Sequence, residues 1–150
     1  MEALRYELYI GASPQEVWDT LFKPEGTRQI FFGSIFDSSF KVGEGYRYVG
    51  PGNEGDETVH VYGEVLACEP GKMFSCTEHP GPSYAENHAE LSTRMTYTLE
   101  IVGGCTKLTF VNDEWSEGHP SYERTKSTWP MILSNVKSVA ETGKALDFGF

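Results

Sequence analysis

Alternation of apolar and polar residues predicts an antiparallel sheet across the middle of the chain. In the run RMTYTLEI, the apolar residues Met95, Tyr97 and Leu99 alternate with arginine, threonine and glutamate. This pattern is typical of a strand with one face on a core and the other toward solvent. Similar runs, separated by turns rich in glycine, proline and acidic residues, predict strands at 4–11, 35–40, 45–50, 58–68, 72–79, 92–101 and 106–115.

Two short helices are predicted between the first two strands. Ser13 is a suitable N-cap, Pro14 fits the first helical turn, and Glu16 completes a capping box. Pro24 ends this helix at the residue before it, because a residue that precedes proline disfavours helical geometry. The same proline opens a second short helix through the segment EGTRQIFF.

A long amphipathic helix is predicted near the end of the chain, at 120–142. With about 100° of rotation per residue, one apolar stripe forms. It contains Tyr122, Trp129, Ile132, Leu133, Val136, Val139 and Ala140. Gly143 is placed to terminate the helix. Pro130 has no backbone N–H and its ring crowds the preceding turn, so we expect the helix to kink or to break in two near this residue.

Length and charge narrow the class of protein. A chain of 150 residues favours a single domain over 1–150. The formal net charge of −10 argues against nucleic acid or an anionic membrane as a partner. No apolar run is long enough for a transmembrane helix, and the start alternates like a strand rather than a signal peptide. Three cysteines without a secretion signal indicate reduced thiols and a cytoplasmic protein.

The order of elements resembles the helix-grip architecture of the START-related (SRPBCC) superfamily, and in particular its branch similar to the activator of the heat-shock protein 90 ATPase. The resemblance is carried by SPQEVWDTLFKPEG (13–26), VGEGYRY (42–48), YGEVLACEPGKMFS (62–75), TKLTFVND (106–113) and STWPMILSNVKSVAETG (127–143). It implies an α+β fold in which a curved antiparallel sheet of six or seven strands wraps around the C-terminal helix. A cavity can remain between the sheet and this helix.

The chain departs from that family pattern in three places. Asn112 stands where a histidine is frequent, and Glu114 stands where a glycine is common. The loop 80–91 also looks longer than usual. All three features lie where the mouth of a cavity would be, so the resemblance does not identify the ligand.

No cluster of titratable residues in the sequence indicates a catalytic residue, a metal site or a cofactor. The acidic segment with Glu114, Glu117, His119 and Glu123 lacks the ligand spacing of a zinc site, and we interpret it as the entrance to the last helix. The histidines at 60, 79, 88 and 119 also lack such spacing, and are interpreted as solvated loop residues. There is no nucleophile motif G-x-S-x-G.

The aromatic residues are the strongest indication of function. Three tyrosines and an asparagine in different strands could orient a ligand by hydrogen bonds, while further aromatic residues supply contact area. The predicted ligand-binding residues are Tyr48, Tyr62, Phe74, Tyr97, Phe110, Asn112 and Trp129. For Phe74 and Phe110 a plain packed core is an equally good interpretation. We expect the mouth near the loop 80–91 and the start of the last helix.

Three functions remain open at this point. The leading hypothesis is non-catalytic binding of a small, mostly apolar molecule, lipid-like or polycyclic, in a cavity between the sheet and the C-terminal helix. The resemblance also implies a co-chaperone-like interaction module with a chaperone as partner. It further allows an enzyme of cyclase or hydrolase type acting on a hydrophobic substrate, although no acid–base pair is visible in the sequence.

Overall fold

Seven strands and three helices form the part of the chain that the computed structural model describes, residues 1–52 and 54–149. Their order is β1 (Leu4–Ile10), α1 (Pro14–Phe22), α2 (Pro24–Ile30), β2 (Ile35–Ser38), β3 (Gly45–Pro51), β4 (Glu57–Glu69), β5 (Met73–Pro80), β6 (Thr93–Val102), β7 (Cys105–Asp113) and α3 (Tyr122–Thr142). The predicted elements are therefore all present, with ends shifted by a few residues.

The strands form one curved antiparallel sheet in the order β1-β7-β6-β5-β4-β3-β2. Strands β2 to β7 follow one another as a meander, and β1 pairs with β7 at the end of the sheet. The sheet covers α3, so the fold is the α+β helix-grip arrangement that the sequence resembles.

The two short helices begin as the local sequence predicts. The Ser13 hydroxyl accepts a hydrogen bond from the Glu16 N–H at 3.1 Å, and the Glu16 carboxylate accepts one from the Ser13 N–H at 3.1 Å. This capping box satisfies two donors that a helix start otherwise leaves unpaired. The second helix, α2, begins directly at Pro24.

The core lies between the inner face of the sheet and the helices. Alternate residues of β6, including Met95 and Tyr97, are buried there, and Val136 of α3 is fully buried against them. The rings of Phe110 and Trp129, whose centroids lie 4.0 Å apart, join β7 to α3. Each such side chain contributes roughly 1.5–3 kcal/mol on burial, so the apolar stripe of α3 is a main source of stability.

The expected break at Pro130 is wrong, since α3 runs from Tyr122 to Thr142 as one helix, and the expected kink stays a prediction. Pro130 cannot donate a hydrogen bond to the carbonyl of Lys126. That carbonyl instead accepts a hydrogen bond from the Tyr6 hydroxyl at 3.0 Å. The first strand therefore satisfies the group that the proline leaves unpaired, which removes part of the penalty for a proline inside the helix.

None of the helices in residues 1–52 and 54–149 is both long and apolar enough to cross a membrane.

Candidate functional site: a cavity between the sheet and the last helix

A cavity of about 420 Å³ lies between the sheet and α3. Its inner wall is formed by buried side chains of β3, β6 and α3, among them Tyr48, Met95, Tyr97 and Trp129. Its outer rim includes exposed side chains from three separate segments, namely Phe32, Tyr84 and Arg124. The walls of the cavity are thus mostly apolar, and its rim includes residues of the loop after β5 and of the start of α3.

Three of the seven predicted ligand-binding residues line this cavity: Tyr48, Tyr97 and Trp129. All three are at least nine-tenths buried, and they come from β3, β6 and α3. The fold therefore brings together side chains that are far apart in the sequence. Their contact with a ligand stays a prediction.

Phe74 and Phe110 belong to the packed core and do not line the cavity. Phe74 lies against the ring of Phe22, with centroids 5.0 Å apart, and Phe110 lies between Tyr97 and Trp129. The plain packing interpretation is therefore the correct one for both phenylalanines. Phe110 supports two residues of the cavity wall from behind.

Asn112 is fully buried and does not line the cavity either, because its side chain is used inside the protein. Its amide nitrogen donates to the Thr93 hydroxyl at 2.7 Å and to the Arg94 carbonyl at 3.0 Å. Its oxygen accepts a hydrogen bond from the Trp129 indole N–H at 3.2 Å. The predicted ligand anchor is instead a positioning residue, since it fixes the ring of Trp129 in the cavity wall.

Tyr62 also lies outside the cavity lining. Its hydroxyl is hydrogen-bonded to His88 Nδ1 at 2.6 Å, and its ring stacks on His79 with centroids 4.9 Å apart. Tyr62 therefore attaches the loop after β5 to the sheet. The expectation of solvated loop histidines is wrong here, because both histidines are half-buried and hydrogen-bonded.

The same loop reaches the cavity rim through a third histidine. His60 Nδ1 of β4 is hydrogen-bonded to the Tyr84 hydroxyl, and both residues line the cavity. His79 Nδ1 is hydrogen-bonded to the carbonyl of Leu91 at 2.9 Å, near the end of the loop. Three histidine contacts thus position the loop that forms one side of the mouth.

Glu78 is the cavity residue that sequence reasoning missed. It is half-buried in β5, and desolvation by burial raises the pKa of its carboxyl from 4.5 to about 7. The signal was present in the run MFSCTEHP. Phe74, Cys76 and Glu78 follow at every second position, so they share one face of the strand. Two buried apolar neighbours on that face place the carboxylate on the inner side of the sheet.

Two tyrosine hydroxyls accompany this carboxyl group. The pKa of Tyr97 lies well above its usual range, mainly because the hydroxyl is buried, and the neighbouring Cys76 and Glu78 raise it further. Burial also raises the pKa of Tyr48, followed by the effects of Tyr97, Cys76 and Glu78. The two hydroxyls affect each other, yet Tyr97 Oη makes no regular hydrogen bond to any described residue. The inner cavity therefore holds polar groups without a full set of protein partners.

Phe32 contributes an exposed aromatic ring to the rim. Its side chain is 67% exposed, and its backbone lies in the left-handed region with φ of 50°. That conformation is unfavourable for a residue with a side chain of this size. The chain therefore carries local strain at the position where an apolar ring borders the cavity.

The acidic segment before α3 acts as the entrance to that helix. Glu114 forms a 3.6 Å ion pair with Arg94, which also binds Asp113 at 2.7 Å. His119 is buried, its Nδ1 accepts a hydrogen bond from the N–H of Ser121 at 3.2 Å, and burial lowers its pKa. Within residues 1–52 and 54–149, no three His, Cys, Asp or Glu side chains are grouped so that they could hold a metal ion.

Comparison with solved structures shows the same fold in several bacterial proteins. The Aha1 dimer of Colwellia psychrerythraea is 20% identical, with a TM-score of 0.71 over 97% of this chain and 100% of that chain. A protein from Arthrobacter aurescens is 16% identical, with a TM-score of 0.76 over 98% of this chain and 91% of that chain. DynU16, from the dynemicin biosynthetic locus, is 19% identical, with a TM-score of 0.69 over 97% of this chain and 49% of that chain.

A comparison with sequence families identifies the family, which the shared fold alone does not. No curated protein sequence matches the chain. The family described as activator of Hsp90 ATPase homolog 1-like protein matches residues 11–141, which is most of the sequence. The match includes both short helices and every strand except β1, and it ends within α3. The chain therefore belongs to the activator of Hsp90 ATPase homolog 1-like family, within the START-related helix-grip superfamily.

Proposed function

We propose that the protein binds a small, mostly apolar molecule, lipid-like or polycyclic, in the cavity between the sheet and α3. The observation that carries this proposal is a 420 Å³ cavity that remains inside a well-packed helix-grip domain. Ligand sites for small molecules usually have volumes of about 300–1,000 Å³ and mostly apolar walls with a few polar groups. The residues of this cavity match that description.

The walls favour a flat or elongated ligand. Tyr48, Tyr97 and Trp129 present aromatic surfaces to the interior, and Met95 and Ile132 add flexible aliphatic contacts. Because the backbone of these residues is fixed in strands and in a helix, little ordering entropy is lost when a ligand binds. The exposed rings at the rim extend the apolar surface toward solvent.

Titration with biphenyl-4-methanol, a flat apolar probe with one hydroxyl, tests this proposal. Binding should quench the fluorescence of Trp129, and a probe concentration of 100 times Kd should stabilise the fold by about 2.7 kcal/mol. The variant Ile132→Trp should lose this binding, since the larger side chain fills the cavity. Ile101→Trp is the matched control, because Ile101 is 74% exposed and lies outside the cavity lining.

Two results would contradict the proposal. One is the absence of a melting shift with this probe and with other apolar compounds. The other is equal binding by both tryptophan variants, which would place the probe elsewhere on the surface. In either case the co-chaperone-like function, stimulation of a chaperone ATPase, becomes the better candidate because of the family match.

Acid–base catalysis in the same cavity is a second candidate, favoured by the position of Glu78. A carboxyl group with a pKa of about 7 can both donate and accept protons near neutral pH, as a general acid or base requires. Chemical conversion of a bound ligand that Glu78→Gln abolishes without loss of binding would establish this function. An unchanged ligand after prolonged incubation would leave binding alone.

A further inference from the structure

The inner cavity holds a carboxyl group without a protein partner and a buried hydroxyl without a regular hydrogen bond. Glu78 receives no hydrogen bond and forms no ion pair with any residue in 1–52 and 54–149, and desolvation is the one cause of its raised pKa. The Tyr97 hydroxyl is buried and makes no hydrogen bond of regular geometry in the same part of the chain; the neighbouring Tyr48 hydroxyl is the protein group that affects it most directly. Both residues line the cavity. A buried polar group without a partner is costly, so such groups usually meet a ligand or ordered water.

The sheet fixes the direction of both groups. Glu78 lies opposite Thr93 in the pairing of β5 with β6, and Tyr97 lies further along β6 on the same face as Thr93. Side chains on one face of neighbouring strands point in a common direction. The carboxylate and the hydroxyl therefore belong to one side of the sheet, four strand positions apart, and both line the same cavity.

The charges around the cavity are distributed unevenly. Of the described residues that line it, Glu78 is the acid, Arg124 is the arginine and His60 is the histidine, and no lysine is among them. Arg124 is exposed at the rim, and among the described residues no arginine contributes to the pKa of Glu78. The inner end of the cavity therefore offers acceptors and negative charge, and it would repel a carboxylate or phosphate group.

We propose that the ligand is a basic amphiphile, which places a protonated amine against the Glu78 carboxylate and the Tyr97 hydroxyl oxygen and its apolar body against Trp129. This inference rests on the proposed function, and it adds the chemical class of the ligand. A protonated amine donates up to three hydrogen bonds and compensates the charge of the carboxylate. A neutral alcohol of equal shape supplies one donor and no charge, and an anion supplies neither.

Three probes of equal shape test this proposal: biphenyl-4-methylamine, biphenyl-4-methanol and biphenyl-4-carboxylate. Binding is measured by fluorescence and calorimetry at about pH 8, where Glu78 is ionised. The amine should bind roughly 10–100-fold more tightly than the alcohol, which is the range expected for a charge-assisted hydrogen bond. The carboxylate should bind most weakly.

Two glutamine variants distinguish amine binding in the cavity from attraction of the amine to the acidic surface, and a third variant tests the tyrosine hydroxyl. Glu78→Gln should reduce the affinity of the amine to that of the alcohol, whereas Glu100→Gln removes the same charge from an exposed position in β6 and should leave the preference unchanged. Tyr97→Phe should lower the affinity of the amine several-fold and leave the affinity of the alcohol nearly unchanged, which a general loss of folding would not do.

The outcomes for the two proposals can be distinguished. If the alcohol binds wild-type protein as tightly as the amine, or if both glutamine variants weaken the amine equally, the amine-binding inference is overturned while apolar ligand binding stands. If none of the three probes binds, the proposed function fails and the inference fails with it.

Discussion

Replacing Glu78 by glutamine should stabilise the protein, and the gain should grow as the pH rises. In the unfolded chain this carboxyl loses its proton near pH 4.5, whereas in the folded protein it retains the proton up to about pH 7. Between these values the folded state binds more protons than the unfolded state, so stability falls as the pH rises. Above pH 7 both states are ionised, and the folded state carries the full penalty of a poorly hydrated carboxylate.

The size of this effect follows from the two pKa values. Linkage with pKa values of 4.5 and about 7 gives a penalty of roughly 1.4 kcal/mol at pH 5.5 and roughly 3 kcal/mol at pH 8. The glutamine side chain is neutral and nearly equal in shape, so it avoids this penalty. Desolvation of its amide adds a constant offset at all pH values. The stability difference between variant and wild type should therefore widen by about 2 kcal/mol from pH 5.5 to pH 8.

Urea denaturation of wild type, Glu78→Gln and Glu100→Gln over this pH range measures the effect. Because Glu100 is exposed, its variant should follow the wild-type curve at a nearly constant distance. The lowered pKa of His119 also makes stability depend on pH, but this contribution is common to all three proteins and cancels in the differences. Parallel curves for Glu78→Gln and wild type would show that the carboxylate is well hydrated, and the argument for a partnerless acid in the cavity would be refuted.

Three further substitutions test the fold by the same denaturation assay. Val136→Asp buries an unpaired carboxylate and should unfold the protein or lower its free energy of unfolding by more than about 4 kcal/mol. The control Ser134→Asp, at an exposed position, should lower it by less than about 1 kcal/mol. Similar losses for both variants would mean that the opposite face of α3 packs on the core. Tyr6→Phe should lower the free energy of unfolding by about 1 kcal/mol, because the Lys126 carbonyl loses its hydrogen-bond donor. If Tyr6→Phe is as stable as the control Tyr9→Phe, at an exposed tyrosine, water replaces the lost hydroxyl. Glu114→Gly should raise the free energy of unfolding by about 1 kcal/mol, because glycine relieves the strain of a φ of 51°. A lower stability instead would mean that the ion pair of Glu114 outweighs this strain.

The sequence by itself determined the elements and their faces. The capping box of Ser13 and Glu16 involves residues three positions apart, so it forms wherever that segment becomes helical. The alternation in β6 and the apolar stripe of α3 likewise depend on short periods, and the burial of Tyr97 and Val136 follows from them. The left-handed backbone of Glu114 does not follow from the local pattern, and the resemblance, which implies glycine at this position, was its one indication in the sequence.

Only the tertiary structure decided which polar groups are already satisfied and which are left for a ligand. Asn112 resembled a ligand anchor in the sequence, but its partners Thr93 and Trp129 lie 19 and 17 positions away, and its amide makes its hydrogen bonds inside the protein. The carbonyl that Pro130 leaves unpaired receives its donor from Tyr6, 120 positions before it. Glu78 gains its raised pKa because strands and a helix from distant parts of the chain exclude water around it without providing a cation. Hydrogen-bond satisfaction and hydration are properties of the assembled surroundings, and for this reason local patterns could place these residues on a face but could not assign their roles.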